Sequence, residues 1–290
     1  MFAKNSVRRG FIFPPYLLLL FPAVSFMLLM YAYPFIASFT RSLIDAQGNV
    51  SFANYAKTWD LYLKDIVFTF GVTVFSTAVT AAAAILLAVY LRFRQSPISR
   101  ILSGLYKLPI FIPFVVVAQM MNSFLAPHGL LNIALAKFGL IDLDQPLQLF
   151  NFSGLSFGFI WKMVPFSVLI IHGGFQMIDD SYIEAARSSG ARLFKVITRI
   201  LIPMSKSSIM VALVLVYSQI VGTFTLPYML IGGKSPTTIT VDIAHRVNYF
   251  RDFGVANTLG VFSYFLVFFT AIYYLRSSVQ KMAEVKPAEE

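Results

Sequence analysis

Residues 177–203, MIDDSYIEAARSSGARLFKVITRILIP, form the longest strongly charged, helix-compatible stretch in an otherwise apolar chain. Asp179 and Asp180 open it, and Glu184, Arg187, Arg192, Lys195 and Arg199 follow over successive turns. A short side-chain oxygen at Asp180 or Ser181 can take up a free amide of the first turn, so a helix is expected to begin there. Acids early and bases late suit the helix dipole. Glu184 and Arg187 stand three apart and share a face, which Ala185 and Ala186 keep small. Gly190 permits a sharp bend or a close backbone approach, and Pro203 closes the segment. The expectation is a short helix, a turn and a second amphipathic helix. Apolar runs flank the segment on both sides, which places it at a membrane surface.

Composition agrees with that placement. The chain is 58% hydrophobic and 12% charged, with a mean hydropathy of +0.73. These values indicate an all-α, multi-span membrane protein rather than a soluble domain. A net charge of +10 raises the question of nucleic acid. In so apolar a chain, basic residues gathered in cytoplasmic loops account for it better, and no nucleic-acid partner is expected. With no cysteine, disulfides, thiol nucleophiles and cysteine metal clusters are excluded. His128, His172 and His245 lie far apart without ligand spacing, so no metal centre is expected.

About 20 apolar residues span a bilayer, and six such runs can be placed. The first covers about 11–39, behind Lys4, Arg8 and Arg9. It is too long for a signal peptide and lacks a clear cleavage site. Pro14, Pro15, Pro22 and Pro34 imply an irregular start and a kink. A polar loop is expected over about 40–65, with an amphipathic surface stretch at SFANYAKTW. The second span covers about 66–91 and is rich in small residues from Ser76 to Ala84, which allow close helix approach in lipid. The third, about 101–126, should bend at Pro109 and Pro113. A loop over 127–152 holds a short surface helix at GLLNIALAKFGLID. The fourth span, about 153–177, runs straight into the charged segment. The fifth covers about 207–231 and the sixth about 253–275. A charged tail from 276 is expected to be partly disordered. The domain layout is thus a cytoplasmic N-terminus (1–10), a six-span domain (11–275) and a cytoplasmic tail (276–290).

Loop charge sets the orientation. The proposed inner segments hold about twice as many Lys and Arg as the proposed outer loops. The charged segment and both termini are therefore expected in the cytoplasm.

Catalytic chemistry is not visible. Gly232-Gly233-Lys234-Ser235 resembles the tail of a phosphate-binding loop, but Tyr228 stands where that motif needs its first glycine. No triad, carboxylate pair or zinc spacing appears, so the chain is not expected to be an enzyme. Lys162 is the one basic residue well inside a span. A buried ionisable group in lipid is costly and points to function. Two readings stand: Lys162 lines a pathway for an anionic or hydroxylated solute, or it snorkels or pairs with a neighbouring subunit. Tyr217, Gln219 and Thr223 in span five, Asn122 in span three and Asn257 in span six are the other deep polar candidates. Amides and aromatic rings suit sugars. Interhelical hydrogen bonding is the alternative use of each. No acid falls deep in any of these spans, which disfavours a pathway for polyamines or metal cations.

Glu184-Ala185-Ala186, Gly190, Ile200 and Pro203 resemble the EAA motif of ABC-importer permease subunits, with Ile202 where the family has Leu. Trp161-Lys162 with Pro165-Phe166, Thr225 to Gly233 and Tyr249 to Gly260 are similar to sugar-importer permeases of the maltose and glycerol-3-phosphate type. Ser188-Ser189-Gly190-Ala191 lacks the acid usual before that glycine, as many spermidine, iron and phosphonate permeases do. The resemblance implies a type I importer permease fold in a bacterial or archaeal plasma membrane. It implies a second permease forming a heterodimer, an ATPase dimer and an extracellular or periplasmic binding protein, with ATP and Mg bound by the ATPases. Glu184, Ala185, Ala186, Arg187 and Gly190 would form the ATPase coupling contact. Asn122, Trp161, Lys162, Tyr217, Gln219, Thr223 and Asn257 would serve the substrate pathway. A sugar or oligosaccharide is the leading cargo. The alternatives are polyamine, iron or phosphonate in the same architecture, or a stand-alone secondary transporter.

Overall fold

The computed structural model describes residues 16–94 and 96–284. Lys4, Arg8, Arg9, Pro14, Pro15 and the tail residues 285–290 lie outside the described residues. In chain order the α-helices are α1 (Tyr16–Met27), α2 (Tyr33–Ser42), α3 (Ala53–Phe93), α4 (Pro97–Leu105), α5 (Phe114–Leu125), α6 (Leu130–Lys137) and α7 (Phe152–Gln176). They continue as α8 (Asp180–Ser188), α9 (Leu193–Val196), α10 (Ile202–Met204), α11 (Lys206–Gly222), α12 (Thr225–Ile231), α13 (Ile239–His245) and α14 (Phe253–Glu284). Among the described residues the only strand-like pairing is one bridge, Ile44 to Val50.

Among the described residues, five helical stretches are long and apolar enough to cross a membrane: Leu19–Ser42, Ala53–Phe93, Phe114–Lys137, Phe152–Gln176 and Phe253–Ile272. A sixth is obtained if Leu193–Met204 and Lys206–Gly222, bent by 70°, count as one. In the first stretch a π turn at Leu28–Ala32 precedes Pro34, which supplies the expected irregularity. Leu19, Phe21 and Tyr31 there are at least 70% exposed, an apolar surface fitted to hydrocarbon rather than water.

Four expectations need correction. The loop expected over 40–65 is confined to 43–52, because α3 starts at Ala53 and runs for 41 residues, about 60 Å. Residues 53–65 contain no Pro or Gly, so their polarity marks an extramembrane part of the same helix and not a break. The third span is interrupted rather than bent. Only a 3-10 turn, Leu108–Phe111, links α4 to the residues before α5, and Ile112 is extended ahead of Pro113. Two prolines remove two amides, and each disfavours helix in the residue before it. The fifth span stops at Gly222 and resumes as α12, with Thr223 extended between them. Pro227 has no amide to offer the Thr223 carbonyl, which accepts the Thr240 hydroxyl instead (2.9 Å). The tail expected to be partly disordered after 275 is helical over its described part, since α14 runs on to Glu284, past the apolar stretch Phe253–Ile272.

The core is built on α3 against α7 and α11. Thr69, Thr73, Ser76, Thr80, Ala84 and Ala88 are buried along one face of α3, the three-and-four spacing of a helix stripe. Small side chains there let the backbones approach, as lipid-embedded packing requires. Gly174 at the far end of α7 shows how tight the fit is. A Cβ on it would fall 2.3 Å from the Ser208 hydroxyl on α11. Ala84, Ala88, Val168, Ile171 and Phe175 continue the core toward Ile178 and Leu201, so the charged segment is rooted in the spans.

Candidate functional site

The charged segment folds as α8, a turn, and the short helices α9 and α10 joined by a π turn at Ile197–Leu201. Its cap lies one residue earlier than expected. Asp179, not Asp180 or Ser181, is the N-cap, and its carboxylate accepts the Ser181 amide (2.8 Å). That hydrogen bond, with a second from the Ser181 hydroxyl, holds the exposed Asp179 carboxyl below its usual range. Gly190 has φ +79°, the left-handed conformation that glycine adopts without a Cβ penalty. Its amide reaches back to Arg187 O, and the Ala191 amide to Ala186 O, closing α8 and turning the chain.

One side of the segment is anchored. Ile183, Val196 and Leu201 are buried. The other side is open: Glu184, Ala185, Arg187 and Gly190 are exposed and Ala186 is half-buried. Phe194 is 75% exposed. Glu184, Ala185, Ala186, Arg187 and Gly190 therefore form a free ledge of small and charged groups, with the Phe194 ring beyond it.

A residue that sequence reading counts only as loop charge holds this ledge. Arg92, at the end of α3, donates to the carbonyls of Phe175 (3.2 Å) and Ile178 (3.0 Å) and pairs with Asp180. It thus ties the longest helix to the last turn of α7 and the first residue of α8. A basic residue directly after an apolar span is the only signal of it.

A second feature lies at the break in the third span. Lys162 on α7 is 8% exposed, and its ammonium donates to Pro109 O (2.7 Å), Ile110 O (3.2 Å) and Ile112 O. The Phe114 ring lies 5.4 Å from it. Pro113 has no amide to offer the Pro109 carbonyl, which keeps a 3-10 bond from the Ile112 amide (3.3 Å), and the ammonium adds a donor to it and to the Ile110 and Ile112 carbonyls. A cavity of about 320 Å³ opens here, with Lys162, Met163, Phe166 and Gln219 in its wall. Gln219 is exposed to it.

The remaining candidates divide. Trp161 faces a wider apolar groove of about 760 Å³ with Met120 and Phe157. Tyr217 is buried in the core. Asn122 donates to Met229 O (2.9 Å), tying α5 to α12. Asn257 accepts from the Ser38 hydroxyl (2.7 Å), tying α14 to α2. The Thr223 hydroxyl bonds to Gln219 O (2.6 Å). Only Lys162 and Gln219 meet at one cavity; the two asparagines are spent on interhelical links.

Sequence reading also misses buried acids. Asp65 on α3 is 2% exposed and accepts from the Ser235 hydroxyl and the Thr237 amide. Asp242 on α13 is 5% exposed. Burial, then Asp65, push Asp242 up to about 8, against the pull of Arg246. Polarity read as loop conceals Asp65.

Comparison with known proteins adds the following. A family described as "binding-protein-dependent transport system inner membrane component" matches residues 80–282. The chain is similar to the sulfoquinovosyl glycerol transport system permease protein SmoG of Agrobacterium fabrum, 29% identical over 89% of this chain and 88% of that one. It is similar to the trehalose/maltose transport system permease protein MalF of Thermococcus litoralis, 24% identical over 89% and 92%. The spermidine/putrescine permease protein PotB of Salmonella typhimurium is 26% identical over 63% of each chain. In fold, the chain resembles a bacterial alginate ABC transporter solved with its pentasaccharide-bound periplasmic protein, with a TM-score of 0.76, 20% identity and coverage of 90% and 92%.

Proposed function

Because the chain belongs to the inner-membrane component family of binding-protein-dependent transport systems, as a multi-pass permease, we propose that it carries a sugar or oligosaccharide delivered by an external binding protein. The observation that carries this reading is the exposed Gln219 amide in the wall of a mid-span cavity that Lys162 also lines and that no carboxylate lines. The Gln219 amide suits sugar hydroxyls, and the Lys162 charge, its donors held by three carbonyls, would repel a polycation. The names of the two relatives matched along most of their length agree.

ATP is hydrolysed by separate ATPase subunits that grip the ledge of Glu184, Ala185, Ala186, Arg187 and Gly190 from the cytoplasm. A second permease completes the pathway. Support comes from the segment's form: buried on one side, open on the other, and clamped by Arg92. Movement of α8 is passed to α3 and α7 through those hydrogen bonds, because packed helices shift as units. ATP and Mg bind to the ATPases and not to this chain.

The test is solute-dependent uptake by the purified importer in liposomes with its binding protein. Uptake of a sugar, abolished by Gln219→Leu, supports the reading. Uptake of spermidine in place of sugars contradicts it.

A further inference from the structure

At the end of α11 away from the charged segment, about 25 Å along a 17-residue helix, aromatic rings form a continuous ladder. Phe224 and Tyr228 stack with centroids 4.9 Å apart. Tyr228 meets His245 edge to face at 6.2 Å, and His245 meets Tyr249 in the same way at 5.5 Å. Tyr228, His245, Tyr249 and Phe250, with Gly232 and Gly233, line an open cup of about 550 Å³. Gly233 lets the His245 ring sit close, since a Cβ there would fall 2.0 Å from it and move the ring. Tyr249 is 72% and Tyr228 39% exposed, so the rings are presented rather than packed away.

The chemistry of the cup is specific. Two ring walls near right angles present flat apolar faces, while tyrosine hydroxyls and imidazole nitrogens supply hydrogen-bonding tips. The nearby cation is already engaged. Arg246 stacks 4.7 Å over Phe250, donates to the Tyr62 hydroxyl and pairs with Asp252 (3.4 Å). A lipid-facing aromatic belt would splay its rings outward; these meet edge to face beside Gly232 and Gly233. The foot of the ladder, Phe224, directly follows Thr223 at the break that ends α11, the helix that carries Gln219. A cup of this volume is in the range of small-molecule sites.

We infer that the Tyr228–His245–Tyr249 cup is a pyranose-stacking site at the outer mouth of the pathway, which receives a sugar before it reaches Gln219. It rests on the sugar reading above. The experiment is uptake by the complete importer in liposomes, with radiolabelled trehalose, sulfoquinovosyl glycerol and spermidine each offered to the wild type. Uptake of spermidine alone overturns the sugar reading and the cup with it. With a transported sugar, Tyr228→Leu and Tyr249→Leu raise the KM at least tenfold, and Tyr249→Trp returns it to within threefold of wild type. Tyr249 has little packing to lose, so its loss reads stacking rather than folding. A wild-type KM in both leucine variants overturns the cup and leaves the sugar reading standing.

Discussion

Arg92 and Asp180 form an ion pair that joins the end of the longest helix to the first residue of α8. The partners differ in exposure, 16% for the Arg92 side chain and 68% for Asp180. An ion pair with one partner in water contributes little. The two carbonyl bonds from Arg92 to Phe175 and Ile178 hold the joint more firmly, because buried carbonyls have no water to fall back on. Asp180→Asn should therefore keep at least half of wild-type uptake, whereas Arg92→Gln should lower it about tenfold. Reconstituted uptake measured beside ATP hydrolysis checks both. Equal effects would mean that the ion pair, not the carbonyl clamp, is what matters.

Gly190→Asp and Glu184→Lys should each uncouple ATP hydrolysis from uptake without unfolding the protein. A Cβ at Gly190 meets nothing within 4 Å, so the fold bears only the cost of a left-handed non-glycine residue, about 1 kcal/mol. Glu184 is exposed and has no packing to lose. Thermal stability in detergent should move by only a few degrees. Normal uptake in both variants would remove the coupling role of this ledge.

Lys162→Met should strip the ammonium from the Ile110 and Ile112 carbonyls and leave the Pro109 carbonyl with only the Ile112 amide. Unpartnered buried acceptors cost roughly 1–3 kcal/mol, so the melting temperature should fall by several degrees. Lys162→Arg should recover part of that loss. Scanning calorimetry or a dye-free melting assay decides. An unchanged melting temperature in Lys162→Met would show that the carbonyls find other donors.

Asp242 gives a pH dependence with a definite sign. Its carboxyl titrates at about 8 when folded, against an ordinary 3.8, chiefly through burial and next through Asp65, with Arg246 opposing. The folded chain holds this proton more tightly than the unfolded chain does. That contribution is therefore fully present below about pH 4 and is lost as pH rises toward 8. Asp242→Asn, which mimics the protonated acid, should flatten the fall in melting temperature between those limits. A slope unchanged by the substitution would assign it to other groups.

Much of the architecture was legible because a bilayer imposes a simple rule on sequence: long apolar runs between charged turns. The turn at Gly190, the short helix at 130–137 and the small-residue face of α3 all follow from local chemistry. The breaks were harder. Pro109 and Pro113 signal a bend, but only tertiary contact decides whether it becomes a gap, and the Lys162 ammonium makes a gap tolerable here. Gly222 and Pro227 gave a similar warning, answered by the distant Thr240 hydroxyl. Arg92 and Asp65 were hidden for another reason: their partners lie 83 or more residues away. Periodicity cannot see such pairings. The same limit hid the partners of Asn122 and Asn257, since the carbonyl and hydroxyl they bind belong to other helices.

The most direct test of the central claim uses the absence of cysteine in this chain. Ala185→Cys places a single thiol on the exposed face of α8. The importer carrying it is labelled with a maleimide–benzophenone in inside-out and right-side-out vesicles and irradiated, so that the ketone inserts into a neighbouring C–H bond, and its cross-linked products are identified by mass spectrometry. The account predicts a cross-link to the ATPase subunit and protection from an impermeant maleimide added outside the cell. Labelling from outside, or an intact complex in which the introduced thiol never reaches the ATPase, would contradict it.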